Sequence, residues 1–255
     1  MKRNLFVLAI ATLFLGPVAS GADAQPAGAL VWEVLDVEVH PHMRAQYETA
    51  IKDANAWREE NSYPFVRQGY QTNFHHYRFI TQVGDWEGVE RAEEWFAENT
   101  SGTPSAFVAP LFGAIKSVSR SYIRTRPDLF YVPEGTTILE KFGAANYIHE
   151  IRLFPKPGSA RAFTEVMEAF VPVYAANDVQ TPRFVWEVRS GSNGPQTSLF
   201  FPAESALAFH EARNADLERM GDEFRTLQTE GLFQNVQDGQ FVAWRIRRDL
   251  SYIPD

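Results

Sequence analysis

The hydrophobic pattern of the chain changes between a two-residue and a 3.6-residue period in a regular order. Residues 31–39 and 147–155 alternate as strands do, and each run is followed by a proline-marked turn and then by apolar residues at helical spacing. In the second copy one helical face carries apolar residues from Phe163 to Tyr174, and Pro172 predicts a kink or an end of that helix. The pattern therefore predicts a strand followed by a helix, twice.

A strand pair follows each of these helices. In the second copy, residues 184–188 and 197–201 are rich in β-formers and flank Asn193-Gly194, a strong hairpin signal. A second helix comes next, and its buried face in the second copy is marked by Leu217, Met220, Phe224 and Leu227. A closing strand completes the order β-α-β-β-α-β in each copy, which is the order of a ferredoxin-like unit.

The ends of the two copies repeat each other 121 residues apart. The segment 124–133 (RTRPDLFYVP) and the segment 245–254 (RIRRDLSYIP) share six identities in ten positions. A match at this spacing indicates the duplication of a whole domain. The predicted organisation is a first repeat over 27–133, a linker over 134–146 and a second repeat over 147–255.

The N-terminal 24 residues have the composition of a secretory signal peptide. A basic start, an apolar run from Leu5 to Leu15 and small residues up to Ala24 predict cleavage after Ala24 and a periplasmic or secreted protein. Without these residues the balance is 22 basic against 31 acidic side chains, and the chain contains no cysteine. No disulfides or thiolate chemistry are therefore expected, and neither nucleic acid nor an anionic membrane surface is an expected partner.

The start of the second repeat resembles a known family. Residues 148–158 (IHEIRLFPKPG) look like the opening of NIPSNAP-type domains, which begin with a Glu-Leu-Arg strand and a Lys-Pro-Gly turn. Those domains belong to the dimeric α/β-barrel superfamily, with antibiotic-biosynthesis monooxygenase-like and EthD-like proteins. The first repeat departs from the pattern, since it lacks the arginine and has His42 in place of the glycine.

The resemblance implies a fold class and a place for a ligand. We expect an α+β protein in which two tandem ferredoxin-like βαββαβ units pack sheet to sheet as an intramolecular dimeric α/β barrel with a cavity between the repeats. Relatives include cofactor-free oxygenases, isomerases, haem-degrading enzymes and haem peroxidases, so the resemblance does not identify a reaction.

Polar residues interrupt the first strand of the second repeat. Glu150 and Arg152 share one strand face, and His149 lies on the other. If the first of these faces lines the barrel, the Glu–Arg pair would contact a ligand; a structural ion pair is the favoured alternative. Trp186 is a candidate wall residue of the same cavity.

Other candidates depend on the repeat or on the histidines. Arg124 and Arg245 are repeat-related and could hold a carboxylate together, although a structural role with the aspartates that follow is favoured. No metal site is expected, because adjacent His75 and His76 should point to opposite faces of a strand. Haem is a minor possibility, with His149 or His210 as the axial ligand.

These observations support two hypotheses of different classes. The first is an exported protein that binds, or transforms without a cofactor, a small apolar or aromatic molecule in the cavity between the repeats. The second is a non-catalytic interaction module with a filled barrel. The sequence leaves enzymatic activity and oligomeric state open.

Overall fold

The structure is a computed structural model that describes residues 29–100, 106–191 and 194–254. The predicted signal peptide and Asn193 of the predicted hairpin turn lie outside these residues. The described chain forms two compact units. The first comprises residues 30–124, 189–191 and 245–254, and the second comprises residues 125–188 and 194–244.

The first unit is an antiparallel sheet with helices. Its sheet has the order β4-β1-β3-β2, and residues 245 and 246 pair with β2. A proline-initiated 3-10 turn over Pro41–Met43 leads from the first strand into the first helix. The elements are β1 (Val31–Val39), α1 (Arg44–Glu60), β2 (Arg67–Gln71), β3 (His76–Gly84), α2 (Trp86–Thr100), α3 (Val108–Ala114) and β4 (Ile115–Thr125), of which Thr125 already belongs to the second unit.

The second unit begins with a short helix and then has the order strand, helix, strand, strand, helix, strand; its sheet order is β8-β5-β7-β6. Its last helix continues through a π-helical stretch, Leu227–Leu232, and a helical turn, Phe233–Asn235, into the closing strand. The elements are α4 (Ile138–Ala144), β5 (Tyr147–Pro155), α5 (Ala160–Ala176), β6 (Phe184–Ser190), β7 (Thr197–Ala203), α6 (Ala206–Thr226) and β8 (Val236–Ile246).

The mixed α/β fold and the antiparallel pairing of the strands are confirmed. β6 and β7 pair as the hairpin that the sequence predicts. The packing of two ferredoxin-like units as an intramolecular barrel stays a prediction, as does the cavity between the repeats. Within the described residues, no helix combines the length and the hydrophobicity that crossing a bilayer requires.

Two local features of α5 concern its predicted end and its start. Pro172 lies inside the helix, so the predicted end at this residue is wrong and the predicted kink is not tested. Ser159 occupies the N-cap position, but its hydroxyl caps no helical N–H; it donates instead to the carbonyl oxygens of Lys156 and Asn235, at 2.8 and 2.9 Å. The serine therefore ties the start of α5 to the residue that precedes β8.

The buried face of α6 is also displaced from the predicted one. Met220 and Phe224 are buried as expected, whereas Leu217 is 37% exposed and the neighbouring Asp216 is fully buried. Asp216 accepts hydrogen bonds from the backbone N–H groups of Gln180 and Thr181, both at 2.9 Å. A carboxylate thus takes the core-facing position because two buried N–H groups satisfy it.

The repeated closing segments contribute to the cores of the two units. Leu129 and Tyr131, at the end of the first copy, lie in the core of the second unit. Leu250 and Tyr252, at the end of the second copy, lie in core clusters of the first unit. Each unit is therefore completed by the segment that ends the other copy.

The same backbone pairing holds both segments. Tyr131 exchanges two N–H···O bonds with Arg183, at 2.8 and 2.9 Å, in the second unit. Tyr252 exchanges two such bonds with Arg67, at 2.7 and 2.9 Å, in the first. Because Arg67 begins β2 and Arg183 directly precedes β6, the two attachments have corresponding places in their units.

An arginine beside an aspartate fixes the start of each segment. Arg126 binds Asp128 through its Nε and Nη2 atoms and also binds Glu187. Arg247 binds Asp249, with Nε at 2.9 Å from Oδ1, and donates two further bonds to Glu48 at 2.8 and 2.9 Å. These forked, charge-assisted contacts give the segments a defined direction where they leave the strands.

Glu48 connects the closing segment to α1 in the first unit. Its carboxylate also accepts from the Tyr77 hydroxyl at 2.7 Å and from Arg44 at 2.9 Å. The hydrogen bonds from Arg247, and after them those from Tyr77 and Arg44, lower the pKa of Glu48 from 4.5 to about 2 despite partial burial.

We expect Glu48→Gln to lower the free energy of unfolding by about 2 kcal/mol at pH 7, the scale of a hydrogen bond to a charged group. Because the folded-state pKa of Glu48 is lowered, its stabilising effect is complete above pH 4.5 and is lost as the pH falls towards 2. Urea unfolding of wild type and variant between pH 7 and 3 measures this difference.

Glu165→Gln is the matched control, because Glu165 forms an i,i+4 pair with Arg161 on α5 but is 57% exposed. We expect that substitution to change stability by less than about 0.5 kcal/mol. Equal effects of the two substitutions would contradict a special role for Glu48.

Candidate ligand-binding site

A cavity of about 530 Å³ lies inside the second unit, between its helices and one face of its sheet. α5 and α6 supply one wall, β5 and β7 supply the other, and the start of β8 borders the cavity. Most of the lining is apolar, with Ile151, Leu153, Phe170, Leu199, Phe201 and Phe224 as its main wall residues. Small-molecule sites in proteins are typically apolar concavities of roughly 300–1,000 Å³.

Strand alternation determines which sheet residues reach this cavity. Ile151 and Leu199 are directly paired across β5 and β7, so their side chains lie on the same face. Glu150 pairs with Phe200 and Arg152 pairs with Ser198, which places those side chains on the opposite face. The cavity therefore lies on the helix side of the sheet.

The helical wall is irregular where it borders the cavity. Gly221 has φ 54° and ψ −135°, which interrupts α6, and the π-helical stretch that follows contributes Gln228 and Leu232 to the lining. At Gly231 a Cβ atom would lie 3.0 Å from a methyl group of Val166, so this glycine allows a close approach to α5. π-Helical turns are rare and frequently occur at functional sites.

Arg183 is the most deeply buried polar residue of the cavity, with 1% of its surface exposed. Its Nη2 donates to the carbonyl oxygens of Leu129 and Met167, at 3.1 and 3.3 Å, and its guanidinium lies 4.7 Å from the centre of the Tyr174 ring. Its Nε is buried without a hydrogen-bond partner. Burial lowers the pKa of Arg183, and the charge of Arg213 lowers it further.

Arg213 projects from α6 into the same cavity. Its guanidinium lies 5.1 Å from the ring centre of Phe224 and 5.8 Å from that of Phe201, and its Nη1 is buried without a hydrogen-bond partner. Within the described part of the chain, neither Arg213 nor Arg183 forms an ion pair with a carboxylate. The cavity thus combines apolar walls with two arginines, each of which has a hydrogen-bond donor without an acceptor.

His149 lies near this cavity but outside its lining. The imidazole stacks on Phe209, with ring centres 4.3 Å apart, and its Nδ1 is 3.3 Å from the Tyr147 hydroxyl oxygen. Burial, followed by the charges of His210 and Arg213, lowers the pKa of His149 to about 4. The imidazole is therefore neutral at pH 7.

The predicted Glu–Arg pair exists on the other face of the sheet. Glu150 is 1% exposed, and its Oε2 accepts from Arg152 at 3.0 Å and from the Trp244 indole N–H at 2.7 Å. The Arg152 guanidinium lies 5.9 Å from the centre of the Trp244 ring. In the second unit these contacts amount to a charge-assisted network between β5 and β8, which is separate from the cavity.

The remaining candidates also lie away from the cavity. Trp186 is 3% exposed and packs against Phe200 on the face that carries Glu150. Arg124 and Arg245 are exposed on the closing strands of the first unit, where they pair through the backbone with Val31 and Gln71. The aspartates that were expected near them bind Arg126 and Arg247 instead.

The two adjacent histidines differ from the expectation for a strand. β3 begins at His76, so His75 precedes it, and their ring centres are 4.7 Å apart. Both rings approach Glu38, at 3.8 and 3.4 Å, but the Lys116 ammonium already binds this carboxylate at 2.7 Å. The competing cation makes this cluster a poor metal site.

An imidazole-ligated haem does not fit the residues of the cavity. Among the described residues that line it, none is a histidine. His149 is held against Phe209, and His210 is an exposed residue of α6. Haem iron in proteins is most often held by histidine, cysteine, methionine or tyrosine; Met167 and Tyr174 are present, but both are packed into the core with at most 3% exposure.

The two cavity arginines were not among the residues singled out from the sequence. Arg213 lies four residues after Phe209 and eleven before Phe224, on the helical stripe that includes Asp216 and Met220. A charged residue on an apolar stripe is a recognisable signal. Arg183 directly precedes β6 and has its equivalent in Arg67, which an alignment of the repeats beyond the closing segments would have shown.

We expect the free energy of unfolding to fall as the pH decreases from about 6.5 to about 4, because the lowered pKa of His149 lets only the unfolded state take up the proton. His149→Phe should reduce this decrease, which urea unfolding at pH 7 and pH 4.5 measures. His42→Phe, at an exposed position in the first unit, is the control and should leave the pH dependence unchanged. An unchanged slope in His149→Phe would contradict the assignment.

Comparison with known proteins shows similarity in structure only. No protein-family model matches the sequence, and no curated protein matches it. A proposed monooxygenase from Fusobacterium nucleatum has a TM-score of 0.54 at 12% identity, covering 86% of this chain and 93% of its own. An anthrone oxidase-like protein has a TM-score of 0.53 at 13% identity, covering 86% and 92%.

A variant chlorite dismutase from Candidatus Nitrospira defluvii has a TM-score of 0.50 at 11% identity, covering 86% of this chain and 92% of its own. These neighbours belong to the superfamily of ferredoxin-like dimeric α/β barrels, whereas the NIPSNAP family in particular stays a prediction. At such identities the likeness concerns the fold and not the chemistry. The chain has a mixed α/β fold like that of the dimeric α/β-barrel proteins.

Proposed function

We propose that this protein binds a small, largely apolar or aromatic molecule in the cavity of its second unit. One observation carries the proposal: a concave volume of about 530 Å³, open to solvent beside the exposed Phe233 and Phe241, is lined mainly by apolar core residues. Small-molecule sites are typically concave and mostly apolar. The pocket therefore offers apolar surface that a ligand can cover.

The lining indicates the chemical nature of the main, apolar part of the ligand. Aromatic rings of Phe170, Phe201 and Phe224 offer flat apolar surface on different sides of the cavity. Such rings suit an aromatic or bulky aliphatic group by offset or edge-to-face packing. Gln228 and Gln237 add polar atoms that could orient the molecule.

The neighbouring structures agree with this proposal in general terms. Their names describe a proposed monooxygenase, an anthrone oxidase-like protein and a chlorite dismutase. The described lining contains no histidine, so it does not favour haem as the ligand. Binding of an organic molecule is the function that this lining supports, and a chemical step on that molecule is not required by it.

The duplicated ferredoxin-like architecture and export complete the proposal. We infer two diverged copies from the equivalent attachments of their closing segments. Export follows from the signal peptide predicted over residues 1–24. N-terminal sequencing of protein recovered from the periplasm or medium should start at Gln25, and recovery only of cytoplasmic protein that retains these residues would refute it.

Filling the cavity tests the binding function. Gln228 is half-buried in the lining, so Gln228→Trp should place an indole in the cavity and abolish saturable binding of 2-naphthalenemethanol in isothermal titration calorimetry. Leu207→Trp, at a 68% exposed position on α6, is the control and should bind as the wild type does.

Two other results would count against the proposal. Unchanged binding in Gln228→Trp would place the ligand elsewhere. No binding of any apolar probe to the wild type would favour the interaction-module hypothesis instead.

A further inference from the structure

The charges inside the cavity are unbalanced. Arg183 and Arg213 both line it, and the described part of the chain supplies neither with a carboxylate partner. A buried arginine normally has its charge compensated, since transferring an unpaired ion from water costs several kcal/mol. Arg183 is buried and Arg213 is half-buried, and both lie against apolar walls.

The nearby acidic groups do not supply the compensation. Asp216 lies one turn along α6 from Arg213. It is fully buried, where its carboxylate accepts from the backbone N–H groups of Gln180 and Thr181 and binds Arg219 at 3.1 Å. Asp238 borders the cavity from β8, where it is exposed and accepts the N–H of Gly239 at 2.8 Å. Within the described residues, neither carboxylate forms an ion pair with Arg183 or Arg213.

The donor atoms that remain point to a specific type of partner. The Nε of Arg183 and the Nη1 of Arg213 are buried and lack hydrogen-bond acceptors. The Nη2 of Arg183 donates to two carbonyl oxygens. Buried donors without acceptors are rare in folded proteins because each costs free energy. Guanidinium groups pair best with planar oxyanions, which accept two parallel hydrogen bonds.

The positive charge in the cavity also changes the pKa values of neighbouring groups. The charge of Arg213 lowers the pKa of both Arg183 and His149. Aromatic rings face both guanidinium groups and stabilise cations only weakly compared with an anion in direct contact. An anionic ligand would therefore gain from both arginines at once.

We propose that the cavity of the second unit binds an organic carboxylate, with the apolar body against the aromatic walls and the carboxylate between Arg183 and Arg213. The inference rests on the proposed binding function and narrows its ligand class. A carboxylate fits better than a neutral molecule because it balances part of the positive charge that the two arginines bring to the cavity.

The test compares two ligands of nearly the same shape, 2-naphthoate and 2-naphthalenemethanol, by isothermal titration calorimetry at pH 7. Wild-type protein should bind the acid on the order of 10-fold more tightly than the alcohol, the scale of a charged hydrogen bond. Arg213→Met should weaken binding of 2-naphthoate by on the order of 10-fold more than it weakens binding of the alcohol.

Arg225→Met is the matched control, because Arg225 lies on the same helix and its removal changes the net charge equally, but its side chain is 74% exposed and pairs with Asp222. Affinity for 2-naphthoate should stay within about twofold of the wild type in this variant. A loss of affinity for 2-naphthoate equal to that in Arg213→Met would show that the effect comes from net charge, and it would overturn the inference.

The other outcomes separate the inference from the function on which it rests. Equal affinities for the acid and the alcohol, with no effect of Arg213→Met, would overturn the carboxylate ligand and leave small-molecule binding intact. Failure of the wild type to bind either compound would overturn both. Arg213 is the residue to replace, since Arg183 also holds the carbonyl oxygens of Leu129 and Met167 and its loss could unfold the unit.

Discussion

The pairing of Tyr131 with Arg183 is the interaction on which the candidate site depends. Two backbone hydrogen bonds join these residues, and the carbonyl oxygen of Leu129 accepts a third bond from the arginine side chain. The closing segment of the first copy therefore positions the deepest polar residue of the cavity. Arg126, bound to Asp128 and Glu187, in turn directs that segment.

The equivalent attachment in the first unit has taken on a different role. Arg67 pairs with Tyr252 as Arg183 does with Tyr131, but its guanidinium lies 4.5 Å from the ring centre of Phe79 and its Nη1 reaches Thr81 at 3.3 Å. Arg67 is thus packed into a filled core, whereas Arg183 borders an open cavity. The two units thus share the backbone geometry of this attachment but differ in whether the arginine borders a cavity.

In the second unit, the packing that would give the highest stability differs from the packing that leaves space for a ligand. Core side chains such as Met167 and Phe170 are buried almost completely, yet the same cluster borders an open pocket of about 530 Å³ and two guanidinium groups. Filling that space with apolar side chains would strengthen packing and remove the electrostatic cost. Its persistence in a chain of ordinary composition suits a site kept for a ligand.

The sequence predicts the elements well because they depend on local patterns. Strand alternation, proline-marked turns and the repeated segment ending in Pro133 and Pro254 are properties of neighbouring residues. The cavity is different, since its existence depends on how α5 and α6 lie against β5 and β7. Periodicity alone misplaced Leu217, because it could not show that Asp216 would find two backbone partners.

The predicted polar cluster illustrates the same limit. Alternation correctly separates Glu150 and Arg152 from His149, but it does not show which face has space beside it. Within the second unit the open volume lies on the side of Ile151 and Leu153, away from Glu150 and its partner Trp244. Only the packing of the helices reveals this.

The exchange of closing segments has a consequence for biosynthesis. A ribosome releases residues 30–124 long before residues 245–254, yet Leu250 and Tyr252 belong to the core of the first unit. Domains usually fold as they emerge, from the N-terminal end onward. Here the core of the first unit is complete only when residues 245–254 have been synthesised. The second unit is made of one nearly continuous stretch and can fold before the first unit does.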